Sequence, residues 1–268
     1  MLIDFHFHAF SNKIAERAIG VLRDNCGVEP LTDGTLDMAL RLFDEWGVDK
    51  AVLLPIATKP AQQRIINDWA VSVRSDRVIS FGTVHPDAED LFEEIHRIKS
   101  LGLKGYKLHP DYQGFFIDEQ RLDSMLSELE AMEMPVVIHA GFDPVSPELV
   151  HCTPQAAADM ISRHPKLKVV LAHMGGNDLW EDSYEHLCGL GGEVYLDTAY
   201  SYDVPDDLML KMIRRHGSER VLFASDCPWQ SSVNMVRKLE KIGLTGKELD
   251  NIFWQNALRL LGNALDKP

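Results

Sequence analysis

Short apolar, β-branched runs return along the chain at residues 2–7, 51–54, 78–84, 105–108, 135–139, 168–173, 193–197 and 221–225. Several are almost wholly apolar, Val136-Val137-Ile138 and Val169-Val170-Leu171-Ala172 among them. That composition suits strands covered on both faces. Between the runs the hydrophobic period lengthens to that of an amphipathic helix, as in Leu36, Ala39, Leu40 and Phe43, or Leu122, Met125, Leu126 and Leu129. Thr35 is placed to cap the first of these helices, and Gly47 and Gly102 follow helical segments where a left-handed residue ends a helix. Residues 247–261, with Leu249, Ile252, Phe253 and Leu260 on one face, predict a closing helix. The longest stretch without a period, from Ala9 to about Asp33, is expected to be an irregular loop at a functional mouth.

Strands alternating with helices predict βα units and a parallel sheet, and eight strand-like runs predict an α/β fold of the (β/α)8 barrel type. The 268 residues match the roughly 250 typical of one such barrel, so a single domain over 1–268 is expected. A hydrophobic fraction of 45% and a charged fraction of 25% are ordinary for a globular protein with a large core. The net charge of -14 argues against nucleic acid and anionic membrane partners. The N-terminus MLIDFHFH has neither a basic nor an apolar leader region, and a cytoplasmic location is expected. Cys26, Cys152, Cys188 and Cys227 form no C-x-x-C pair and are read as reduced.

Barrel active sites lie at the carboxyl ends of the strands, so a polar residue that ends an apolar run carries chemical meaning. His6 and His8 end the first run, His139 the fifth and His173 the sixth, while Asp226 follows the eighth. Strand side chains alternate, so His6 and His8 project to the same side and their rings converge. With His139 and Asp226 they form a set able to hold zinc or a similar cation and leave a position for water. Without a cation, these inward groups would be costly buried polarity with no common partner.

The ordered segments IDFHFH (3–8), GLKGYKLHP (102–110), VIHAG (137–141), LAHMGG (171–176), FASDCPW (223–229) and NALRLLG (256–262) resemble the amidohydrolase superfamily. The resemblance is to its amidohydrolase 2 branch, related to aminocarboxymuconate-semialdehyde decarboxylase, and implies a TIM barrel. It further implies metal ligation by His6, His8, His139 and Asp226. His173 is implied as a second-metal ligand or acid/base, and Asp4 as a residue supporting the site from behind. Lys107 stands where binuclear relatives carry a carboxylated Lys. One divalent ion, zinc ahead of manganese or another cation, is expected rather than two; with two, His173 and Lys107 would join the ligands.

The expected chemistry is hydrolysis of an amide, lactone or ester, with Asp226 as general base and His173 stabilising the oxyanion. The alternative on the same site is nonoxidative decarboxylation of an aromatic or unsaturated acid, with Lys107 gripping the carboxylate and His173 managing the proton. Lys107, His109, Phe142 and Trp229 are the candidate substrate contacts, and Tyr112, Phe115, Phe116, Trp180 and Tyr200 also fall after strands. A planar, anionic small molecule fits them. Gly175 and Gly176 are candidate anion donors through their backbone N–H groups. A homo-oligomer is expected.

Overall fold

The computed structural model describes residues 1–262; the end of the expected domain, 263–268, lies outside the described residues. Along the chain, β1 (Ile3–Phe7) leads into α1 (Ala15–Cys26) and α2 (Leu36–Trp46), and then come β2 (Lys50–Leu53), α3 (Gln63–Ser72), β3 (Val78–Ser80) and β4 (Gly82–Thr83). The next elements are α4 (Leu91–Ser100), β5 (Tyr106–Leu108), α5 (Pro110–Gln113), α6 (Asp123–Met132), β6 (Val136–Ile138), α7 (Pro154–Arg163), β7 (Val169–Leu171) and α8 (Trp180–His186). The chain finishes with β8 (Val194–Asp197), α9 (Asp206–His216), β9 (Val221–Leu222), α10 (Ser232–Lys241), α11 (Gly246–Asp250) and α12 (Asn256–Leu261).

All strand pairs are parallel, in the orders β1-β2-β3 and β4-β5-β6-β7-β8-β9. The run expected as one strand over 78–84 is divided at Phe81. There the hydrogen bonds pass from one neighbour to the other: Phe81 N–H donates to Leu53 O at 3.0 Å, and Gly82 N–H donates to Gly105 O at 2.8 Å. At the opposite seam Phe5 N–H reaches Phe223 O at 2.8 Å, Asp226 N–H reaches His6 O at 2.9 Å and His8 N–H reaches Cys227 O at 2.8 Å. β3 and β4 thus form one stave, and eight staves close into a TIM barrel.

Ile3, Phe5, Val52, Leu54, Ile79, Phe81, Val137, Val170, Tyr195 and Leu222 belong to one buried cluster, which fills the barrel. Their strand neighbours Tyr106, Leu108, Val136, Ile138, Val169, Leu171 and Leu196 join the helices in a second cluster outside it. Both faces are therefore apolar, which explains the unbroken apolar runs.

The stretch after β1 is not an irregular loop, because α1 occupies much of it. That helix buries only Ala15 and Ile19, and Ile14 at its start makes no side-chain cap. A mostly solvated helix without a start signal leaves little hydrophobic period to read. The other boundaries follow local chemistry. Thr35 Oγ1 accepts from Met38 N–H, and Gly47 has φ 72°. The closing helix is one rod with a wider turn over Asn251–Gln255, where Asn256 N–H donates to Asn251 O. The four cysteines are free thiols. No helix among the described residues is long and apolar enough to cross a membrane.

Gly141, just past β6, permits a close approach of two backbone segments. It bridges in parallel to Asn177 with φ 90°, and a Cβ there would stand 2.0 Å from Asn177 N. Gly141→Ala is expected to cost about 3 kcal/mol, from strain and forced separation together. A denaturant midpoint equal to that of the parent would contradict it.

Candidate active site

Register places the chemistry. Lys107, Val137, Val170 and Tyr195 lie opposite one another across β5 to β8, and the last three belong to the cluster inside the barrel. Two residues farther along a strand the side chain points the same way, one layer nearer the carboxyl end. That step leads from Lys107 to His109, from Val137 to His139 and from Tyr195 to Asp197. β1 departs from strict alternation. Asp4 pairs with Ala51 and Phe7 with Leu53, so β1 carries one extra residue between them. The bulge lets Phe5 pack inside the barrel while its neighbour His6 also reaches Asp197 and Lys107.

Three donor atoms converge above this layer. His6 Nε2 lies 3.1 Å from His8 Nε2, and Asp226 Oδ1 lies 3.5 Å from the first and 3.3 Å from the second. Ligands bonded at about 2.1 Å to one tetrahedral ion stand about 3.4 Å apart, so the spacing fits a shared cation. The tautomers fit as well. His6 Nδ1 donates to Asp197 Oδ2 at 2.9 Å and His8 Nδ1 donates to Leu54 O at 2.8 Å, so both Nε2 atoms present lone pairs. Two lone pairs and a carboxylate oxygen with no hydrogen-bond partner face one another. Such an arrangement is unfavourable until a cation stands between them. Asp226 has φ 66° and His173 φ 62°, left-handed conformations that are costly for these residues and typical of functional positions.

Asp4 acts on backbone rather than on rings. It is fully buried, accepts from His6 N–H, Ser225 N–H and Ser232 Oγ, and is pushed up to about 6 by burial. Asp197 was not singled out from the sequence. It holds His6 through Oδ2, while its Oδ1 accepts from His173 N–H at 2.9 Å and Ala199 N–H at 3.0 Å. Its signature, an acid ending the apolar run VYL, was the same one that marked the histidines.

His139 is not among the three converging donors. His173 Nδ1 donates to Ala199 O at 2.9 Å, so His173 Nε2 is the acceptor for His139 Nδ1, 2.9 Å away. His139 Nε2 therefore carries a lone pair, is buried without a partner, and faces a second group containing His109 and Asp143. The His109 and His139 rings stack at 4.1 Å. Burial lowers both, and brings His173 down to about 4.

Lys107 is fully buried, with Nζ 3.4 Å from His6 Nε2. Burial lowers its pKa, opposed by the charges of Asp197, Asp226 and Asp143. Among the aromatic candidates, Phe115 and Trp180 pack into the outer core, and Phe116 stacks on His151 at 4.6 Å. Tyr112 meets His109 edge-on at 4.2 Å and Tyr200 meets His173 at 6.5 Å, while Phe142 and Trp229 are half-buried directly after Gly141 and the Asp226 turn. Gly175 and Gly176 do not offer their N–H groups to an anion, because these donate to Ala172 O and His173 O within a tight turn.

The fold has close structural counterparts. A 2,6-dihydroxybenzoate decarboxylase complexed with 2,6-dihydroxybenzoate superposes with TM-score 0.71 at 17% identity, covering 97% of this chain and 98% of the other. A dihydroxybenzoic acid decarboxylase from Polaromonas sp. JS666, with bound manganese and the inhibitor 2-nitroresorcinol, gives TM-score 0.72 at 16% identity over 100% and 98%. A 5-carboxyvanillate decarboxylase from Sphingomonas paucimobilis gives 0.68 at 18% identity over 97% and 98%. Among curated proteins, none matches this chain by sequence. The family model described as amidohydrolase matches residues 3–262, and with that span the chain belongs to the amidohydrolase 2 family of TIM-barrel enzymes.

Proposed function

We propose that this enzyme is a divalent-metal-dependent carboxy-lyase acting on a planar aromatic or unsaturated acid. The observation that carries the reading is a buried lysine beside a set of bare metal-type donors. An ammonium at Lys107 Nζ can pair with a substrate carboxylate, and the His6, His8 and Asp226 donors lie on the same wall. Their two-imidazole, one-carboxylate composition suits zinc. Manganese is the metal in the Polaromonas neighbour, whose inhibitor is a planar phenol, and the neighbours named as decarboxylases take aromatic acids. When bound, the cation supplies Lewis-acid charge for an anionic substrate.

In the reaction the bond between the ring or vinyl carbon and the carboxylate breaks, its electron pair stays on carbon, carbon dioxide leaves, and a proton takes its place. His173 is the residue proposed to move that proton. Its Nδ1–H is committed to Ala199 O and its Nε2 accepts from His139 Nδ1–H, so Nε2 is the atom through which a proton is gained or given once the hydrogen bond between the two rings opens. His139 orients that nitrogen, Tyr200 meets the His173 ring edge-on, Tyr112 packs against His109, and Phe142 and Trp229 shape the pocket from their loops.

Hydrolysis is the second reading, favoured by Asp226 Oδ1, which is buried without a hydrogen bond and so available to take a proton from water. Metal-loaded protein offered dihydroxybenzoates, carboxyvanillate and a set of lactones and amides separates the two. The expected result is carbon dioxide release from an aromatic acid, with KM raised about tenfold or more by Lys107→Met through loss of a charge-assisted hydrogen bond. Lactone or amide cleavage without carbon dioxide release would replace the lyase reading by the hydrolytic one.

A further inference from the structure

We infer that Leu22 and Cys26, on the inner face of α1, roof the substrate pocket and set which ring substituents fit beneath them. The inference rests on the proposed planar acid as the occupant. The segment that carries α1 leaves the barrel at His8 and comes back beside Asp226, where Leu31 N–H donates to Pro228 O at 2.8 Å. Phe10 N–H donates to Gly34 O at 2.8 Å, which closes the base of the excursion. Both ends therefore stand at the carboxyl ends of the first and last staves, on the rim of the site.

One face of α1 is covered over only half its length. Ala15, Ile19, Leu22 and Cys26 follow one another at the spacing of a single helix face. Ala15 and Ile19 are buried against the returning chain, for a Cβ at Gly34 would stand 3.1 Å from Ala15 O and from Ile19 Cβ. Leu22 and Cys26 continue that face but are only half-buried, whereas Val21, Arg23, Asp24 and Asn25 are exposed. The second half of the face is thus turned inward over space that the described residues leave open.

That space is the mouth of the barrel. Tyr112 follows β5 and Tyr200 follows β8, with β6 and β7 between them in the sheet. Burial raises both phenols, Asp143 adds to the first and Asp226 to the second, and the charge of Cys26 adds to both. A thiol that acts on groups from staves so far apart stands over the ring of strands rather than beside one of them. Beneath it lie the imidazoles that those tyrosines meet, His109 and His173. A leucine and a thiol make an apolar ceiling. A planar ring placed between that ceiling and the imidazoles would cover the half-buried part of α1 and remove its apolar surface from water. Substituents that rise from the ring plane then meet Leu22 and Cys26.

Tryptophan substitutions on the two faces of this helix test the roof. With metal-loaded protein and the aromatic acid it decarboxylates fastest, Leu22→Trp and Cys26→Trp are expected to raise KM and lower kcat/KM about tenfold or more, with metal content and thermal midpoint as in the parent. Val21→Trp, at a position 53% exposed on the outer face, is expected to leave both constants unchanged. Parent-like kinetics in Leu22→Trp and Cys26→Trp, or an equal loss in Val21→Trp, would overturn the roof. A parent that cleaves a lactone or amide instead removes the carboxy-lyase reading, and the same contrast on that substrate still decides the roof. Placement is checked without any substrate, because Cys26 is the one cysteine of the four that is not buried. Copper-phenanthroline oxidation of Tyr112→Cys and Tyr200→Cys, read by peptide mapping, is expected to join Cys26 to the introduced thiol in at least one of them. Absence of that disulfide from both variants overturns the proposal.

Discussion

Asp226→Asn is expected to lower turnover by about 10²–10⁴-fold, the range for loss of a proton-transferring or charge-stabilising carboxylate. The substitution is well isolated. Position 226 has φ 66°, and Asn adopts that conformation as readily as Asp, so the turn between β9 and the following loop is kept. What changes is Oδ1, which faces His6 Nε2 at 3.5 Å and His8 Nε2 at 3.3 Å. An amide supplies less charge to a shared cation and cannot take a proton at neutral pH. The two chemical readings then diverge. If Asp226 serves as a ligand in a lyase, affinity for the cation falls and excess metal restores much of the rate. If it is the base of a hydrolase, the deficit persists at saturating metal. Parent-like turnover by the variant would remove Asp226 from the site altogether.

The convergence of His6, His8 and Asp226 was legible because it depends on quantities that a sequence carries. These are the two-residue repeat of a strand, the habit of barrels to gather function at strand ends, and the polar interruption of apolar runs. The helix boundaries at Thr35 and Gly47 were legible for the same reason, since cap chemistry is local. Even β1, with its bulge, gave the right pairing of His6 with His8, although alternation alone would have sent His6 away from the face that holds Phe5.

What the sequence hid was direction at the level of single atoms. His139 ends its strand as expected, yet its ring orientation depends on His173, whose tautomer in turn is set by Ala199 O on the neighbouring stave. No pattern in the residues 135–139 contains that carbonyl. Asp111 lies in the single turn of α5 and Asp143 in the loop after β6, where no hydrophobic period marks an inward side chain, and each carboxylate approaches His139 Nε2, at 3.8 and 3.7 Å. Gly175 and Gly176 misled because a glycine pair suggests free N–H groups, whereas the positive φ of His173 and Met174 closes the turn on itself.

Asp197→Asn is expected to weaken affinity for the cation at His6, His8 and Asp226 by about 10–100-fold, although Asp197 contributes none of the three converging donors. Its Oδ1 accepts two backbone N–H groups, from His173 and Ala199, so the oxygen of an introduced amide must occupy that position. The amide nitrogen is then left facing His6 Nδ1, where the carboxylate oxygen now accepts at 2.9 Å. A donor meeting that ring nitrogen forces it to become an acceptor, and the ring hydrogen moves to Nε2. There it points at His8 Nε2 and Asp226 Oδ1, and His6 is lost as a ligand while every heavy atom stays in place. The tautomer change gives the variant a signature that simple destabilisation lacks. Nitrogen chemical shifts of labelled histidine should show the His6 proton on Nε2, and His6→Ala made in the Asp197→Asn background should cost little further affinity. Parent-like metal affinity in Asp197→Asn, or a second loss as large as the first on removing His6, would show that the hydrogen bond from His6 Nδ1 does not control the site.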